Sequence, residues 1–195
     1  FLAIREKNRM AAEVEGDEIT AEASLAESLA DAGVPPAGAE ALREAVAIYF
    51  SAEEERIVAL DGAMETLLWL RDAGVRIGLL SNATDGRYVH RVAVRLGMRA
   101  FFDPFVVSAD IGVRKPRLEA FRAVIDRWSF PAGQVAMVGD SLYHDVGGAN
   151  RLGLYSVHFT QIANPGDPAH RDAIVPSASA SSHTLLRAAM MPLLG

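Results

Sequence analysis

The chain has 195 residues, of which 50% are hydrophobic, and a formal net charge of −6. This length and the mean hydropathy of +0.14 suit one sizeable domain, or a domain with an appended subdomain, that buries a substantial core. No apolar run reaches the roughly 18 residues that a membrane span needs, so no membrane partner is expected. The absence of cysteine excludes disulfides, thiolate metal sites and cysteine nucleophiles. The cytoplasm is the expected compartment.

Charge is distributed unevenly along the chain. Residues 1–60 carry 13 acidic and 5 basic side chains, whereas residues 61–195 carry 12 acidic and 14 basic ones. The acidic first part argues against a nucleic-acid partner, because a groove for nucleic acid needs basic side chains opposite the phosphates. The nearly neutral second part is compatible with a small anionic ligand.

The first 60 residues predict helices and no strands. Apolar spacing indicates a helix over residues 1–14, and a second helix begins near Thr20, a suitable N-cap. A third helix is predicted over residues 35–50. A fourth begins at Ser51, which offers a capping hydroxyl ahead of three glutamates. We expect residues 1–60 to form a small α-helical cap subdomain.

From residue 61 onwards, helical segments alternate with short apolar strands. The predicted strands cover residues 75–80, 104–108, 134–139, 154–159 and 173–177. The predicted helices cover residues 62–74, 85–97, 115–128, 144–153 and 182–194, and the polar residues 177–182 are predicted as a loop. Strands that alternate with longer helices predict an α/β fold whose sheet is parallel, with helices on both faces. Continuous apolar strands are typical of burial on both sides. We expect a Rossmann-like core over residues 61–195.

Polar side chains follow three of these strands, at the edge where open α/β sheets bind ligands. Ser81 and Asn82 follow the first strand, Lys115 follows the second after a short loop, and Asp140 and Asp145 follow the third. Hydroxyl and turn N–H groups donate to phosphate oxygens, and an ammonium group neutralises phosphoryl charge. Carboxylates are hard oxygen ligands for Mg²⁺. The set therefore indicates a site for a phosphate group and a divalent metal.

The segments LLSNAT, RKP and GDSLYHDV, in this order and spacing, resemble motifs II, III and IV of the haloacid dehalogenase superfamily. The helical segment before them resembles the cap that many members insert after their first strand. The resemblance implies that Ser81 hydrogen-bonds the phosphoryl group, that Asn82 contributes mostly its backbone N–H, and that Lys115 stabilises the nucleophile and the phosphoryl charge. It also implies that Asp140 binds Mg²⁺ and that Asp145 supports the water shell of the metal or Lys115.

We therefore predict a catalytic set, a substrate-binding set and a metal-binding set that overlap. The predicted catalytic residues are Ser81, Lys115 and Asp145. Substrate contacts are predicted for Ser81, Asn82 and Lys115, and Mg²⁺ ligation for Asp140 and Asp145.

The superfamily carries its nucleophile in a D-x-D motif at the end of its first strand. The first Asp of that motif attacks phosphorus and the second acts as general acid and base. These 195 residues contain no D-x-D. We expect the first, central strand to lie upstream of Phe1 and to be missing from this sequence. A strand supplied by another chain or by another part of this one, and a member that binds without hydrolysing, are the alternatives.

The resemblance favours a phosphatase over a dehalogenase. Members that remove halide need no metal, so resemblance to them would predict fewer acidic residues at 139–145, where this chain has Asp140 and Asp145. We expect Mg²⁺-dependent hydrolysis of a small phosphomonoester, a phosphorylated metabolite, through an aspartyl-phosphate. The alternatives are a non-catalytic binding or regulatory protein, a phosphomutase and, least favoured, a haloacid dehalogenase. A monomer or a homodimer is expected.

Overall fold

The structure is a computed structural model that describes residues 1–162 and 173–194, and four helices precede its first strand. The helices are α1 (Leu2–Glu15), α2 (Ala21–Asp31), α3 (Ala39–Arg56), α4 (Ala63–Asp72), α5 (Gly86–Arg95), α6 (Ser108–Ile111), α7 (Leu118–Ile125), α8 (Gly147–Arg151) and α9 (His183–Met190). The strands are β1 (Leu79–Ser81), β2 (Phe105–Val107), β3 (Ala136–Gly139), β4 (Tyr155–Phe159) and β5 (Ala178–Ala180). Within those described ranges, no helix is long and apolar enough to cross a membrane.

Residue contacts divide the chain into two compact units. The first unit comprises Phe1–Val58, Leu79–Ala100 and Val106–Arg114. The second comprises Ala59–Gly78, Phe101–Phe105 and Lys115–Gly195. The cap boundary at residue 60 remains a prediction.

The first unit is held together by three packed helices. Helix α1 packs against α2, and α2 packs against α3. Ala21, Val46 and Phe50 form the buried cluster of these helices. The ring of Tyr88 in α5 stacks on Phe50 with the ring centroids 4.7 Å apart. Burial of this apolar surface stabilises the helices and fixes α5, which follows β1, against them. Strands β1 and β2 pair in a two-stranded sheet.

The second unit is built on a parallel three-stranded sheet in the order β3-β4-β5. The register of the first pair places Ala136 beside Tyr155 and Gly139 beside His158. Helices α8 and α9 pack against β4. The buried apolar cluster of this unit consists of Val157, Ala180, Leu186 and Met190. The predicted α/β class with a parallel sheet is confirmed.

The predicted helix start at Ser51 is wrong, because α3 runs through that residue without interruption. The hydroxyl of Ser51 donates to the carbonyl oxygen of Ile48 at 2.7 Å. Ser51 thus bonds to its own helix instead of capping a new one, a use of serine that competes with capping.

Strand β5 overturns two predictions. Residues 173–177 form no strand, and the strand lies instead at Ala178–Ala180, inside the polar segment predicted as a loop. Parallel pairing with β4 produces this strand. Val157 of β4 lies beside Ala178, and Phe159 lies beside Ala180. Pairing with a buried strand outweighs the low intrinsic strand propensity of Ala and Ser.

Strands β1 and β3 are less buried than their apolar sequences indicated. Strand β1 is shorter than predicted and all of its residues are half-buried. Val138 of β3 is 36% exposed, whereas Val157 of β4 is fully buried. In the described part of the chain, β3 pairs on one side only, with β4. An edge strand is shielded on fewer sides than a central one, which accounts for the difference.

The α-helices predicted to begin at residues 115 and 144 begin later, as α7 at Leu118 and α8 at Gly147. Arg117 keeps an extended backbone with φ −63° and ψ 138°, so α7 starts at Leu118 and Pro116 lies outside it. Residues Leu142–Val146 form a π-helical turn before α8 where one continuous α-helix was predicted. As a result, neither Lys115 nor Asp145 lies in an α-helix.

The stability of the protein is expected to fall as the pH is lowered from about 7.5 to about 5.5. The hydroxyl of Thr66 accepts a hydrogen bond from Arg187 at 3.2 Å and lies 3.1 Å from Nδ1 of His183. Burial, and then the positive charge of Arg187, lower the pKa of His183. The unfolded chain therefore binds this proton more tightly than the folded protein, and acid favours unfolding. One such group contributes less than about 1.4 kcal/mol per pH unit.

Urea unfolding at several pH values checks this expectation. The free energy of unfolding of the His183→Asn variant should fall less steeply between about pH 7.5 and about pH 5.5 than that of the wild type. Identical slopes for the two proteins would show that His183 is not responsible.

Candidate active site

Lys115 and Asp145 form a buried ion pair in the second unit. The Nζ atom of Lys115 lies 2.7 Å from Oδ1 of Asp145, and the two side chains are 10% and 4% exposed. Taking two charges out of water is costly, so a pair of this kind persists only when each charge is matched by the other. The second carboxylate oxygen, Oδ2, accepts the N–H of Ser141 at 3.0 Å. Both oxygens of Asp145 are therefore engaged within the protein.

Two glycines permit the close contacts around this pair. A Cβ atom at Gly139 would lie 2.1 Å from Oδ2 of Asp145, so the end of β3 admits the carboxylate only where the residue has no side chain. A Cβ atom at Gly148 in α8 would lie 2.3 Å from the ring of Phe121 in α7. The close approach of α7 and α8 brings together the segments that precede them, which carry Lys115 and Asp145.

The turn that carries Asp145 is fixed by Ser141. The Oγ atom of Ser141 accepts the N–H of His144 at 2.9 Å and lies 3.1 Å from Nδ1 of the same residue. Its carbonyl oxygen accepts the N–H of Asp145 at 3.1 Å. Ser141 thus holds the backbone of Asp145 as well as its carboxylate. A π-helical turn at a strand end is a geometry often found at functional sites.

Asp140 occupies a different environment from Asp145. It directly follows β3 and is exposed. Its carbonyl oxygen lies 3.1 Å from Nε2 of His158, the residue of β4 that pairs with Gly139. The sheet therefore fixes the backbone of Asp140 while the residue faces solvent.

Asp140 and Asp145 differ in how well they fit a partial Mg²⁺ ligand set. In residues 1–162 and 173–194, no group of three His, Cys, Asp or Glu side chains is gathered as a metal site. Mg²⁺ commonly takes one or two carboxylates and keeps several waters. Asp140 fits as one such ligand, whereas the oxygens of Asp145 already hold Lys115 and the Ser141 amide.

Ser81 and Asn82 lie in the first unit, where β1 ends. Both residues are half-buried. The next residue of the loop, Ala83, donates its N–H to Oγ of Ser108 at 2.9 Å. The loop ends at Asp85, whose side chain caps the first turn of α5. A loop that leads from a strand into a helix N-terminus presents backbone N–H groups to an anion.

The structure thus brings Lys115 and Asp145 into contact and places Asp140 at the end of the preceding strand, in the second unit. Ser81 and Asn82 belong to the first unit. The roles assigned to all five residues remain predictions.

Sequence reasoning missed three polar residues around these sites, namely Glu18, Ser108 and Ser141. Ser141 had a usable signal, because a serine just before a helical turn is a common N-cap. Glu18 and Ser108 are hydrogen-bonded across a separation of 90 residues. No local pattern links residues that far apart.

The structure combines a parallel α/β fold with a lysine–aspartate pair beside a strand end. The chain belongs to the haloacid dehalogenase-like hydrolase family, whose model matches residues 4–153. It is 33% identical over 152 residues to the ribulose-1,5-bisphosphate 5-phosphatase of Halopiger xanaduensis, over 77% of this chain and 62% of that protein. It is 32% identical over 98 residues to the glyceraldehyde 3-phosphate phosphatase of Pyrococcus abyssi, over 50% of this chain and 41% of that protein.

Among solved structures, the chain is similar to a HAD phosphatase from Thermococcus onnurineus. The TM-score is 0.59 and the identity 26%, over 71% of this chain and 61% of that one. The chain spans less than two thirds of the length of each of these three relatives.

Proposed function

We propose that the full-length protein hydrolyses a small phosphomonoester with Mg²⁺ as its cofactor. The observation that carries this proposal is the buried ion pair between Lys115 and Asp145 next to the end of β3. An ammonium group that is already desolvated and fixed can stabilise the charge on a transferring phosphoryl group without reorganisation. Two of the relatives, named as phosphatases, support the same reaction class.

Each residue of the predicted set has a distinct part in this proposal. The hydroxyl of Ser81 and the backbone N–H of Asn82 donate to phosphoryl oxygens. Lys115 neutralises phosphoryl charge. Asp145 keeps the Lys115 ammonium in position, which agrees with the 2.7 Å contact between them.

Asp140 is the proposed Mg²⁺ ligand of this chain. Its exposed position at the end of β3 agrees with that role. Mg²⁺, when bound, supplies positive charge that offsets the charge on the phosphate. Asp145 has its place in the water shell of the metal in this proposal, because its two oxygens contact Lys115 and the Ser141 amide.

The nucleophile of the proposed reaction is an aspartate in a D-x-D segment, which these 195 residues do not contain. Its carboxylate oxygen attacks phosphorus, and the bond between phosphorus and the alcohol oxygen breaks. The second aspartate of that segment protonates the leaving alcohol and then takes a proton from the water that cleaves the aspartyl-phosphate, which releases inorganic phosphate and restores the first aspartate. The helical segment predicted as a cap over residues 1–60 excludes water during the first step and selects the substrate.

The proposed substrate is a small phosphorylated metabolite. The two curated relatives described above carry the names of ribulose-1,5-bisphosphate and glyceraldehyde 3-phosphate, both phosphate esters of short polar molecules. A cytoplasmic monomer or homodimer remains part of the proposal.

Phosphate release by the full-length protein tests this function. The protein is incubated with a panel of small phosphomonoesters in the presence of Mg²⁺ or EDTA, and halide release from a 2-chloro acid is followed in parallel. We expect phosphate release that requires Mg²⁺ and no release of chloride. Phosphate binding without turnover would favour a binding protein, and chloride release without Mg²⁺ would favour a dehalogenase.

A further inference from the structure

Ser108 holds the backbone of the loop that follows Ser81 and Asn82. This serine is the first residue of α6 and is 0% exposed. Its Oγ atom accepts the N–H of Ala83 at 2.9 Å, and the N–H of Ala109 donates to the carbonyl oxygen of Ala83 at 3.2 Å. Both backbone polar groups of Ala83 are therefore bonded to the start of α6.

Glu18 determines which way the Ser108 hydroxyl points. The hydroxyl hydrogen has two acceptors within reach, Oε2 of Glu18 at 2.5 Å and the carbonyl oxygen of Ala83 at 3.2 Å. A carboxylate is the stronger acceptor and the nearer one, so the hydrogen is donated to Glu18. The lone pairs of Oγ are then left for the N–H of Ala83.

Glu18 is itself rigidly held in the first unit. Its side chain is 1% exposed, and Oε1 lies 3.7 Å from the guanidinium of Arg114. Its N–H donates to the carbonyl oxygen of Gly112 at 2.9 Å, and Asp17 pairs with Val113 in an antiparallel bridge. A carboxylate that is buried and fixed through its backbone orients its hydrogen-bond donor firmly.

We propose that Ser108, oriented by Glu18, is a positioning residue that sets the geometry in which Ser81 and Asn82 bind a phosphoryl group. The inference rests on the proposed function, because that function gives the loop its ligand. Neither Ser108 nor Glu18 touches the substrate. They act through Ala83, whose displacement moves the donors just before it, and a misplacement of about 1 Å is enough to cost about 100-fold in rate.

The test uses the full-length protein and a Ser108→Ala variant. Inorganic phosphate serves as the probe, both as a competitive inhibitor and in an NMR titration of the Asn82 and Ala83 amides. We expect the inhibition constant for phosphate and the KM to rise by about 10- to 100-fold. Hydrogen exchange at the Ala83 amide should become faster, since the variant lacks its acceptor.

Ser156→Ala is the matched control. Ser156 is also 0% exposed, and its hydroxyl bonds to the side chains of Asn150 and Ser177, neither of which has a proposed part in the reaction. The control should lose stability to a similar degree and leave phosphate binding unchanged. A Glu18→Gln variant keeps an acceptor oxygen for Ser108 but removes the charge, so its effect should have the same direction as that of Ser108→Ala and be smaller.

The outcomes separate this inference from the proposed function. If the wild type hydrolyses phosphomonoesters and the two serine variants lose phosphate affinity equally or not at all, the positioning role is overturned and the function stands. If the wild type binds phosphate without hydrolysis and only Ser108→Ala weakens binding, the positioning role stands and the hydrolytic function fails. A wild type that neither hydrolyses phosphomonoesters nor binds phosphate overturns both.

Discussion

Replacing Lys115 by alanine in the full-length protein is expected to lower kcat/KM by about 100- to 1,000-fold, the usual loss when one fixed electrostatic partner of a transition state is removed. The same change leaves the buried carboxylate of Asp145 unpaired, which should cost about 3–5 kcal/mol in the free energy of unfolding. Steady-state kinetics with a small phosphomonoester and urea unfolding measure the two effects.

The chain offers a matched control in its other lysine, Lys7. The Nζ atom of Lys7 pairs with Glu27, and its side chain is 63% exposed. Surface ion pairs of this kind contribute about 0.2–1 kcal/mol, so Lys7→Ala should leave both kinetics and stability almost unchanged. Equal losses of kcat/KM in the two variants would remove Lys115 from the active site.

A double variant separates the loss of chemistry from the loss of folding. In Lys115→Met combined with Asp145→Asn, no buried charge is left without its partner. Removing both charges of a buried pair is much less destabilising than removing one. We expect the double variant to recover most of the stability lost in Lys115→Ala and none of the activity. Recovery of activity together with stability would mean that Lys115 acts only on the fold.

The second large effect is expected for Asp140→Asn, which keeps the size of the side chain and removes its charge. Turnover should fall by orders of magnitude, and the Mg²⁺ concentration for half-maximal activity should rise, because hard divalent cations prefer carboxylate to amide oxygens. The folded protein should be almost unaffected, since substitutions at exposed positions usually change stability by less than about 0.5 kcal/mol.

Thermal unfolding gives a second measure of metal binding that does not depend on turnover. A ligand that binds only the folded state raises the midpoint of unfolding, so Mg²⁺ should stabilise the wild type and the Asp126→Asn control but not Asp140→Asn. Asp126 is also an exposed aspartate, at the end of α7. If Asp140→Asn responds to Mg²⁺ like the wild type, in activity and in midpoint, Asp140 is not a metal ligand.

Features that depend on a short stretch of sequence, such as the strands and the motifs that follow them, could be predicted from the sequence. Apolar, β-branched runs predicted the strands that end near Ser81 and Asp140, although β1 and β3 are shorter and more exposed than expected. The motif resemblance predicted one of two roles for Asp145, support of the water shell of a metal or support of Lys115. The 2.7 Å contact with Lys115 agrees with the second of these.

Features that depend on distant partners could not be predicted in this way. Strand β5 exists because β4 lies beside it, and its Ala and Ser residues carry almost no strand signal of their own. The bond between Glu18 and Ser108 likewise joins residues that only the folded chain brings together. Tertiary packing decides both where such a strand forms and which polar groups meet.

The contact between Gly139 and Asp145 also limits how this protein can change during evolution. A methyl group at position 139 would lie 2.6 Å from Cβ of Asp145, an atom tied closely to the backbone and unable to swing aside. Aspartate is already the shortest acidic residue, so no smaller carboxylate is available to make room. Substitution of Gly139 by any residue with a side chain is therefore unfavourable, even though Gly139 takes no part in the chemistry. Homologous proteins that keep the ion pair between Lys115 and Asp145 in this geometry are therefore expected to keep Gly139 as well.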